Sequence, residues 1–595
     1  MIYTQHRWFR SGAYTLLGHL DVPDTAGGSL GVLIVPPFAW EDVCSYRPLR
    51  FLGRTLAENA IPALRFDLPA MGDSSGGALD PGLLEAWIQS VNDAATELRA
   101  ATGVQEVAVV GIRMGAMLAV SAAARGANIQ DLVLWGPSAT GRAMLREMRA
   151  FGTRERLEYA NGGAAPAQEI EGFQVGGFLI AAETQRDLEA FDLSTLPAMG
   201  KRRILFLSRD NLPADGKLIR SLESSGASVE VAIGTGYAAM MEGIPATGIN
   251  LAITEFLAKD LSSNRDDAEI GLSRLLEERP AKTFITSEGT SVSETVYKIN
   301  RSSGAMYGIL AEPESHPQPT EWCILFLNPG PVRHTGPNRM WVEAARRWAA
   351  QGVVSLRMDL LGIGESDGDS ILTVDQLYRI EMLEQVEAAM DSLRSRLGVQ
   401  RFALIGLCSG AYLAFQGAIH MQGIRTAILL NPRAFFWDPE VDRRRLARDS
   451  VRKLGAWQDW RRLARGKVPL ERIKRGLRNA FGWIHVAQKG PHRQIQREAM
   501  AHAWASIERS QSRVTLVFAD DEPLLEEMEA EGQMPPKTSR VRCVRVANCD
   551  HTFRPLWAQK LIHELIDSEL NEVLRESLVN STDGTPEKQG VATHK

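Results

Sequence analysis

The sequence passes through the same series of blocks twice, about 290 residues apart. GAYTLLGHLDVP (12–23) and GVLIVPPF (31–38) return as GAMYGILAEP (304–313) and CILFLNPG (323–330). ALRFDLPAMGDSSGG (63–77) returns as SLRMDLLGIGESDG (355–368), and VAVVGIRMGAMLAV (107–120) as FALIGLCSGAYLAF (402–415). Each block is an apolar, β-branched run that ends in a Gly-, Pro- or Asp-rich turn. The spacers, such as LEAWIQSVNDAATELRAA (84–101) and YRIEMLEQVEAAMDSLRSRL (378–397), have helical periodicity. Strands alternating with helices at this spacing predict parallel α/β units. A period this long means a tandem of whole domains and not a solenoid.

The 595 residues suit that reading, since domains typically run to roughly 100–200 residues or somewhat more. The domains are expected at 1–260 and 285–572, with a polar linker at 261–284 and a disordered tail at 573–595. Apolar residues are 44% and charged residues 23%, which excludes fibrous and disordered classes for the bulk of the chain. A net charge of −5 gives no sign of a dedicated nucleic-acid binder. The five cysteines, Cys44, Cys323, Cys408, Cys543 and Cys549, are too scattered for a disulfide framework or a CxxC zinc site. The start has no apolar core of signal-peptide type, and no run of about 18 apolar residues occurs. The expectation is a reduced, cytoplasmic protein that needs no metal or organic cofactor.

The chemistry concentrates in the second half. GLCSG (406–410) lies between a strand pattern and a helix pattern, the setting of a nucleophile elbow. The crowded turn leaves little room two residues either side of the nucleophile, and Gly406 and Gly410 meet this. The central residue is then Cys408. Ser409 is the competitor, but its flanks would be Leu407 and Ala411. Beyond the last strand, DHTF (550–553) offers His551 as base. The preceding strand ends at FADDEP, so Asp520, Asp521 and Glu522 compete to orient the imidazole, with Asp521 favoured. An oxyanion hole needs two inward backbone N–H groups. Ser409 supplies one, and the loop NPGPVRHTGPNR (328–339) the other, assigned to Val332.

The first half has the elbow without the chemistry. GIRMG (111–115) places Arg113 at the nucleophile position, and a guanidinium cannot attack a carbonyl. No histidine follows its last strand. Arg113 is either an anion site at a helix N-terminus or an internal partner of an acid such as Asp210. The second half also carries an insertion, about 433–510. Residues 433–513 hold 20 Lys and Arg against 8 Asp and Glu. It is either a solvated helical face over Trp457, Trp460, Leu463 and Trp483, or a cap. A cap with Arg461 and Arg462 would attract an anionic substrate, a CoA-like carrier or an anionic membrane surface.

These motifs carry a family resemblance. VPPFAWEDVCSYRP (35–48), DLPAMGDSSGG (67–77) and GIRMGA (111–116) resemble the loop, turn and Arg-containing elbow of exosortase A system-associated hydrolase 2. GPVRHTGPNR (330–339), LRMDLLGIGESDG (356–368) and DHTF (550–553) resemble the corresponding motifs of exosortase A system-associated hydrolase 1. The chain looks like a fusion of the two, the matches spanning most of 30–260 and 295–570. The resemblance implies tandem α/β-hydrolase domains, the second with a helical cap, each a mostly parallel sheet flanked by helices. It also implies a hydrolase or acyl-transfer role near exopolysaccharide production. One departure stands out: the type 1 pattern has Ser at the elbow, and this chain has Cys408. Cysteine elbows also occur in dienelactone hydrolases and polyhydroxyalkanoate synthases.

The resulting expectation is a Cys-His-Asp enzyme acting on an ester, thioester or acylated saccharide, with a catalytically inactive first half. Its partners would be a small acyl substrate, anionic or carrier-linked, and a peripheral membrane face, with no nucleic acid. The alternative is a non-catalytic binding or scaffold protein in polysaccharide assembly.

Overall fold

The computed structural model describes residues 2–582 apart from 24–28, 160–170, 196, 211, 262–281, 286–289, 315–320, 369–372, 442–491, 511 and 521. The first half builds an eight-stranded sheet. Its strands are β1 (Ile2–Ser11), β2 (Tyr14–Pro23), β3 (Leu30–Val35), β4 (Ala63–Phe66), β5 (Glu106–Ile112), β6 (Asp131–Trp135), β9 (Arg203–Leu207) and β10 (Ser228–Ala232). A separate hairpin, β7 (Gly172–Val175) and β8 (Phe178–Ala181), lies outside it. The second half contributes β11 (Lys282–Ile285), β12 (Ser291–Arg301), β13 (Gly304–Pro313), β14 (Trp322–Phe326) and β15 (Val354–Asp359). It continues with β16 (Arg401–Leu407), β17 (Ile424–Leu430), β18 (Arg513–Ala519) and β19 (Val541–Val546).

The sheet orders are β1-β2-β4-β3-β5-β6-β9-β10 and β11-β12-β13-β15-β14-β16-β17-β18-β19. Apart from the extra β11 they are the same order, with antiparallel strands leading and parallel strands following. The sequence repeat is thus a repeat of topology: two tandem α/β-hydrolase folds. The central strands are buried along their whole length, as strands covered by helices on both faces must be. Two boundaries differ from expectation. β11 pairs with β12 inside the end of the expected linker. The last helix, Leu556–Thr582, runs through the first ten residues of the expected tail, carried by an apolar face that buries Ile562, Ile566, Leu570 and Val573.

The turns after β4 and β15 are near copies. Asp67 accepts the Asp73 N–H at 2.8 Å, and Asp359 accepts the Glu365 N–H at 3.1 Å. Ser74 and Ser366 each donate to the carbonyl of the leading aspartate at 2.6 Å. Gly72 (φ 50°) and Gly364 (φ 51°) allow the close return, because a Cβ at either would collide with that aspartate's carboxyl group.

Through these turns the halves meet. Arg65 of the first half binds Glu365 of the second at 2.9 and 3.2 Å, while Arg357 of the second binds Asp73 of the first at 3.0 Å. Arg333 forks onto Asp67 at 2.8 and 3.1 Å. The fully buried His334 lies between Asp73 at 2.7 Å and Asp359 at 2.8 Å. Both ring nitrogens face carboxylates, so the ring satisfies both only as imidazolium. Burial pushes its pKa down, but the two carboxylates outweigh this and bring it up to about 10. Around the charges, Trp8 and Leu17 of the first half join one apolar core with Val292, Tyr307 and Trp341 of the second.

Candidate active site

β16 delivers the chain into a sharp turn at Cys408 (φ 59°, ψ −113°), and the helix Ser409–His420 begins immediately after. This backbone is strained for a residue with a side chain. It is held because Gly406 and Gly410 let the turn close. A Cβ on Gly406 would lie 2.2 Å from the Gly410 carbonyl carbon, and one on Gly410 2.8 Å from the Asn328 oxygen. Arg113 has the same geometry, φ 53° and ψ −112°, before the helix Met114–Ala124. Both halves therefore keep the elbow.

At the second elbow the structure brings three groups together. The hydrogen-bonding and charge of His551 act on the Cys408 thiol, and those of Cys408 act on the ring. His551 Nδ1 lies 2.8 Å from Glu522 Oε1, and the Glu522 side chain is buried. Nδ1 is engaged by the carboxylate, which leaves Nε2 for the sulfur. The carboxylate on the ring is thus Glu522, one of the alternates. Asp520 instead accepts the Asn548 N–H at 2.8 Å, and Asp521 lies outside the described residues. Pro523 is the signal for this register. It opens the helix Pro523–Glu531, and the residue before a proline is driven to extended backbone, here Glu522 at φ −72°, ψ 119°.

Burial pushes the Cys408 thiol up, but the hydrogen bond and charge of His551 outweigh it, with help from Tyr378 and the charge of Arg433. The net shift is downward. His551 moves up for the reciprocal reasons, the hydrogen bonds to Cys408 and Glu522 overcoming its burial. The pair favours thiolate and imidazolium. Burial drives the other thiols the opposite way: Cys44 and Cys549 to about 12, Cys323 and Cys543 also upward.

Sequence reasoning missed two groups here. Tyr378 places its hydroxyl 3.3 Å from the sulfur and stacks on Trp437 at 4.1 Å, walling one side of the thiol. Asn431, at φ 43° after β17, donates to the His551 carbonyl at 2.8 Å and accepts the Ala519 N–H at 2.7 Å, tying the base loop to the strand ends. An asparagine directly after an apolar strand, where positive φ is tolerated, was the available signal for Asn431. Nothing in the spacer marked Tyr378.

The oxyanion donors fall differently from expectation. The Ser409 N–H opens its helix and has no intrahelical acceptor, so it is available to an oxyanion. The Val332 N–H turns to the Pro329 carbonyl at 3.3 Å, which removes it as second donor. In the same loop the Gly330 N–H donates to Ser409 Oγ at 2.9 Å. That contact holds the buried Ser409 hydroxyl on the loop and away from the nucleophile's place.

Arg113 is corrected as an anion site. It donates to Glu41 at 3.2 Å, to Glu147 at 2.5 Å and to the Gly136 carbonyl at 3.0 Å, so all three guanidinium nitrogens are taken internally. Its partner is not Asp210, which accepts the N–H groups of Gly236 and Ala238. Arg461, Arg462 and most of the expected cap lie outside the described residues. His6, His19 and Glu365 bring three ligand atoms within 4.8 Å of one another. The Glu365 oxygens are already held by Arg65 and by the Tyr46 hydroxyl at 2.5 Å, and a guanidinium so close repels a dication.

The first half also touches the base loop. Glu155 binds Arg554 at 2.6 Å, and Arg554 binds Asp550, next to His551, at 3.1 Å. Gln174 of β7 accepts the Leu556 N–H at 2.9 Å, and the Gly177 carbonyl accepts from Gln559 at 2.7 Å.

No curated protein matches the chain. Solved structures similar to it include Est1E from Butyrivibrio proteoclasticus with bound ferulic acid. That protein is 15% identical over 43% of this chain and 100% of its own, with a TM-score of 0.32. Proline iminopeptidase from Mycobacterium smegmatis is 14% identical over 44% and 100%, with a TM-score of 0.33. An α/β serine hydrolase without lid from Xanthomonas campestris is 15% identical over 44% and 96%, with a TM-score of 0.29. Among the described residues no helix is long and apolar enough to cross a membrane. Residues 324–560, from β14 to the helix after His551, match the model of the Alpha/beta hydrolase family, and the second half of the chain carries a domain of that family.

Proposed function

We propose that the second half is a cysteine-dependent acyl hydrolase or acyltransferase, with Cys408 as nucleophile, His551 as base and acid, and Glu522 as the carboxylate that orients the imidazole. One observation carries this reading. Of the five cysteines, Cys408 alone is shifted toward thiolate, and it alone stands at an elbow on a histidine backed by a buried carboxylate. The sulfur attacks the substrate carbonyl carbon, and the π electrons move to the oxygen, where the Ser409 N–H meets them. Collapse of the tetrahedral intermediate expels the leaving alkoxide or thiolate, which takes the proton from His551 Nε2. The acyl group is left as a thioester on Cys408. Water, an alcohol or an amine then attacks that thioester, gives its proton to His551, and releases Cys408 as thiolate.

The substrate class is an ester, thioester or acylated saccharide, and thioester intermediates react readily with amines, which favours transfer as well as hydrolysis. The motif resemblance supports a role in exopolysaccharide production. A working thiolate also suits a reducing compartment, which supports a cytoplasmic location. The first half, with Arg113 sealed at its elbow, serves as a non-catalytic partner.

The test is turnover of a panel of acyl esters and thioesters, with labelling by a thiol-directed acyl probe, in the wild type and in Cys408→Ala. The variant loses both turnover and labelling at this site. Full turnover in Cys408→Ala overturns the cysteine mechanism, and no turnover of any of the panel by the wild type leaves the binding or scaffold role.

A further inference from the structure

Between the halves lies a cleft of about 520 Å³, the size of a small-molecule site. One wall is the helix Trp40–Glu58 of the first half. The other is the second half's loop through Pro331, Val332 and Arg333, with the glycine-rich turn after β15. Arg47, Arg50, Phe51 and Arg54 all line the cleft. Their spacing of three, four and seven residues puts them on one face of the helix. Arg333 and Arg339 add two more guanidiniums from the second half, while Trp40, Phe178, Val332 and Ile363 supply apolar surface.

These arginines are not equally occupied. Arg333 is taken by Asp67, Arg339 by the carbonyls of Gly72 and Ser74, and Arg50 by the carbonyls of Gly364, Glu365 and Ser366. Arg47 is half-buried and its Nε is sealed from water. Its side chain nevertheless makes no hydrogen bond or ion pair among the described residues, and neither does that of Arg54. Burial alone acts on Arg47, pulling its pKa down with no carboxylate to offset it. A buried guanidinium N–H is ordinarily paired, so the orphaned Arg47 Nε calls for an explanation, while Arg54 is exposed at the mouth of the same cleft. The lining acids are Asp42, Glu58 and Glu242, against five arginines. Burial raises Asp42 to about 7, so it carries about half a negative charge near neutrality, and that charge faces Arg333 at 3.7 Å.

We propose that this cleft binds a small organic anion, its carboxylate or phosphate held by Arg47 and Arg54 and its apolar body laid against Phe51, Trp40 and Phe178. Planar guanidiniums on one helix face suit either oxyanion. Cys408 does not line the cleft, so this site is distinct from the acyl site and does not depend on the reading of it.

Calorimetry on the full chain with octyl phosphate, octanoate and octanol tests this. Both anions are expected to bind at one site per chain and octanol not at all. The double variant Arg47→Gln/Arg54→Gln weakens the anions at least tenfold, while Cys408→Ala leaves binding unchanged. Competition by inorganic phosphate against each ligand tells a phosphate head from a carboxylate. Because neither replaced side chain has a partner among the described residues, the ligand-free melting temperature of the double variant stays near wild type and confirms that it folds. Octanol binding as well as the anions, anion binding untouched in the double variant, or anion binding lost in Cys408→Ala would each overturn the proposal.

Discussion

A thiol held against an imidazolium is reactive where an ordinary thiol is not. Since Cys408 is shifted down and His551 up, the thiolate survives below the usual thiol pKa of about 9. Iodoacetamide should therefore label Cys408 at pH values below 9 at which the four other cysteines stay silent. Glu522→Gln removes the charge that keeps His551 protonated, so the thiol moves back up. Labelling at pH 7 should fall about tenfold per unit of that shift and recover toward wild type near pH 9.5. A variant with an unchanged pH–rate profile would show that Glu522 does not hold the pair. At this scale the sequence was informative where sterics decide. The glycines at 406 and 410 marked Cys408 as the exposed residue, because the turn admits nothing larger at those places. It was silent where loop geometry decides: Asp520, Asp521 and Glu522 are chemically alike, and only the path into Pro523 selects the one on the ring.

The base loop is shaped by elements that sequence distance hides. The helix Gly141–Tyr159 and the β7–β8 hairpin belong to the first half, yet Glu155 and Gln174 hold Arg554 and the Leu556 amide just beyond His551. Glu155→Gln should lower kcat several-fold with little change in KM, since it loosens the base without touching substrate. It should also move the pH–rate profile of the imidazole, which a loss of stability alone would not do. The repeated strand and helix blocks were legible because each is written in local periodicity. The length of the last helix was not, because Leu570 and Val573 extend an apolar face into a stretch whose composition is polar. Pairs such as Glu155 with Arg554 lie 399 residues apart and leave no local trace.

The two halves are held together by two acids, Asp73 and Glu365, whose cations lie across the interface. Asp73→Asn leaves His334 and Arg357 short of a carboxylate in a dry interface, and breaking a buried pair in this way costs about 3–5 kcal/mol. A fall in melting temperature of several degrees, barely altered by 1 M salt, is the expected result. His334 and His19 at the interface act on the pH range in opposite directions, and His6, hydrogen-bonded to His19 and likewise pushed down by burial, adds to the acid side. His334 has a folded pKa near 10 against about 6.5 unfolded, so its contribution is complete below pH 6.5 and disappears as pH rises through 10. His19, buried beside Glu365 and Arg65, is pushed down to about 4, mainly by burial. The unfolded chain therefore takes up its proton first, and stability falls as pH drops from 6.5 toward 4. Thermal melts across pH 4–10 should peak between these flanks, and His334→Gln should flatten the alkaline side.

The exchange of arginines across the interface bears on how such a chain can be inherited. Arg65 meets an acid belonging to the other half, and so does Arg357. A change of sign at position 65 sets a like charge against Glu365 and Asp21, and one at 357 sets a like charge against Asp73 and Glu294, so neither is tolerable unless its partners change too. Among relatives these positions should vary together, although some 300 residues separate members of the two halves. A half transplanted from a distant relative should fail to dock unless its counterpart travels with it.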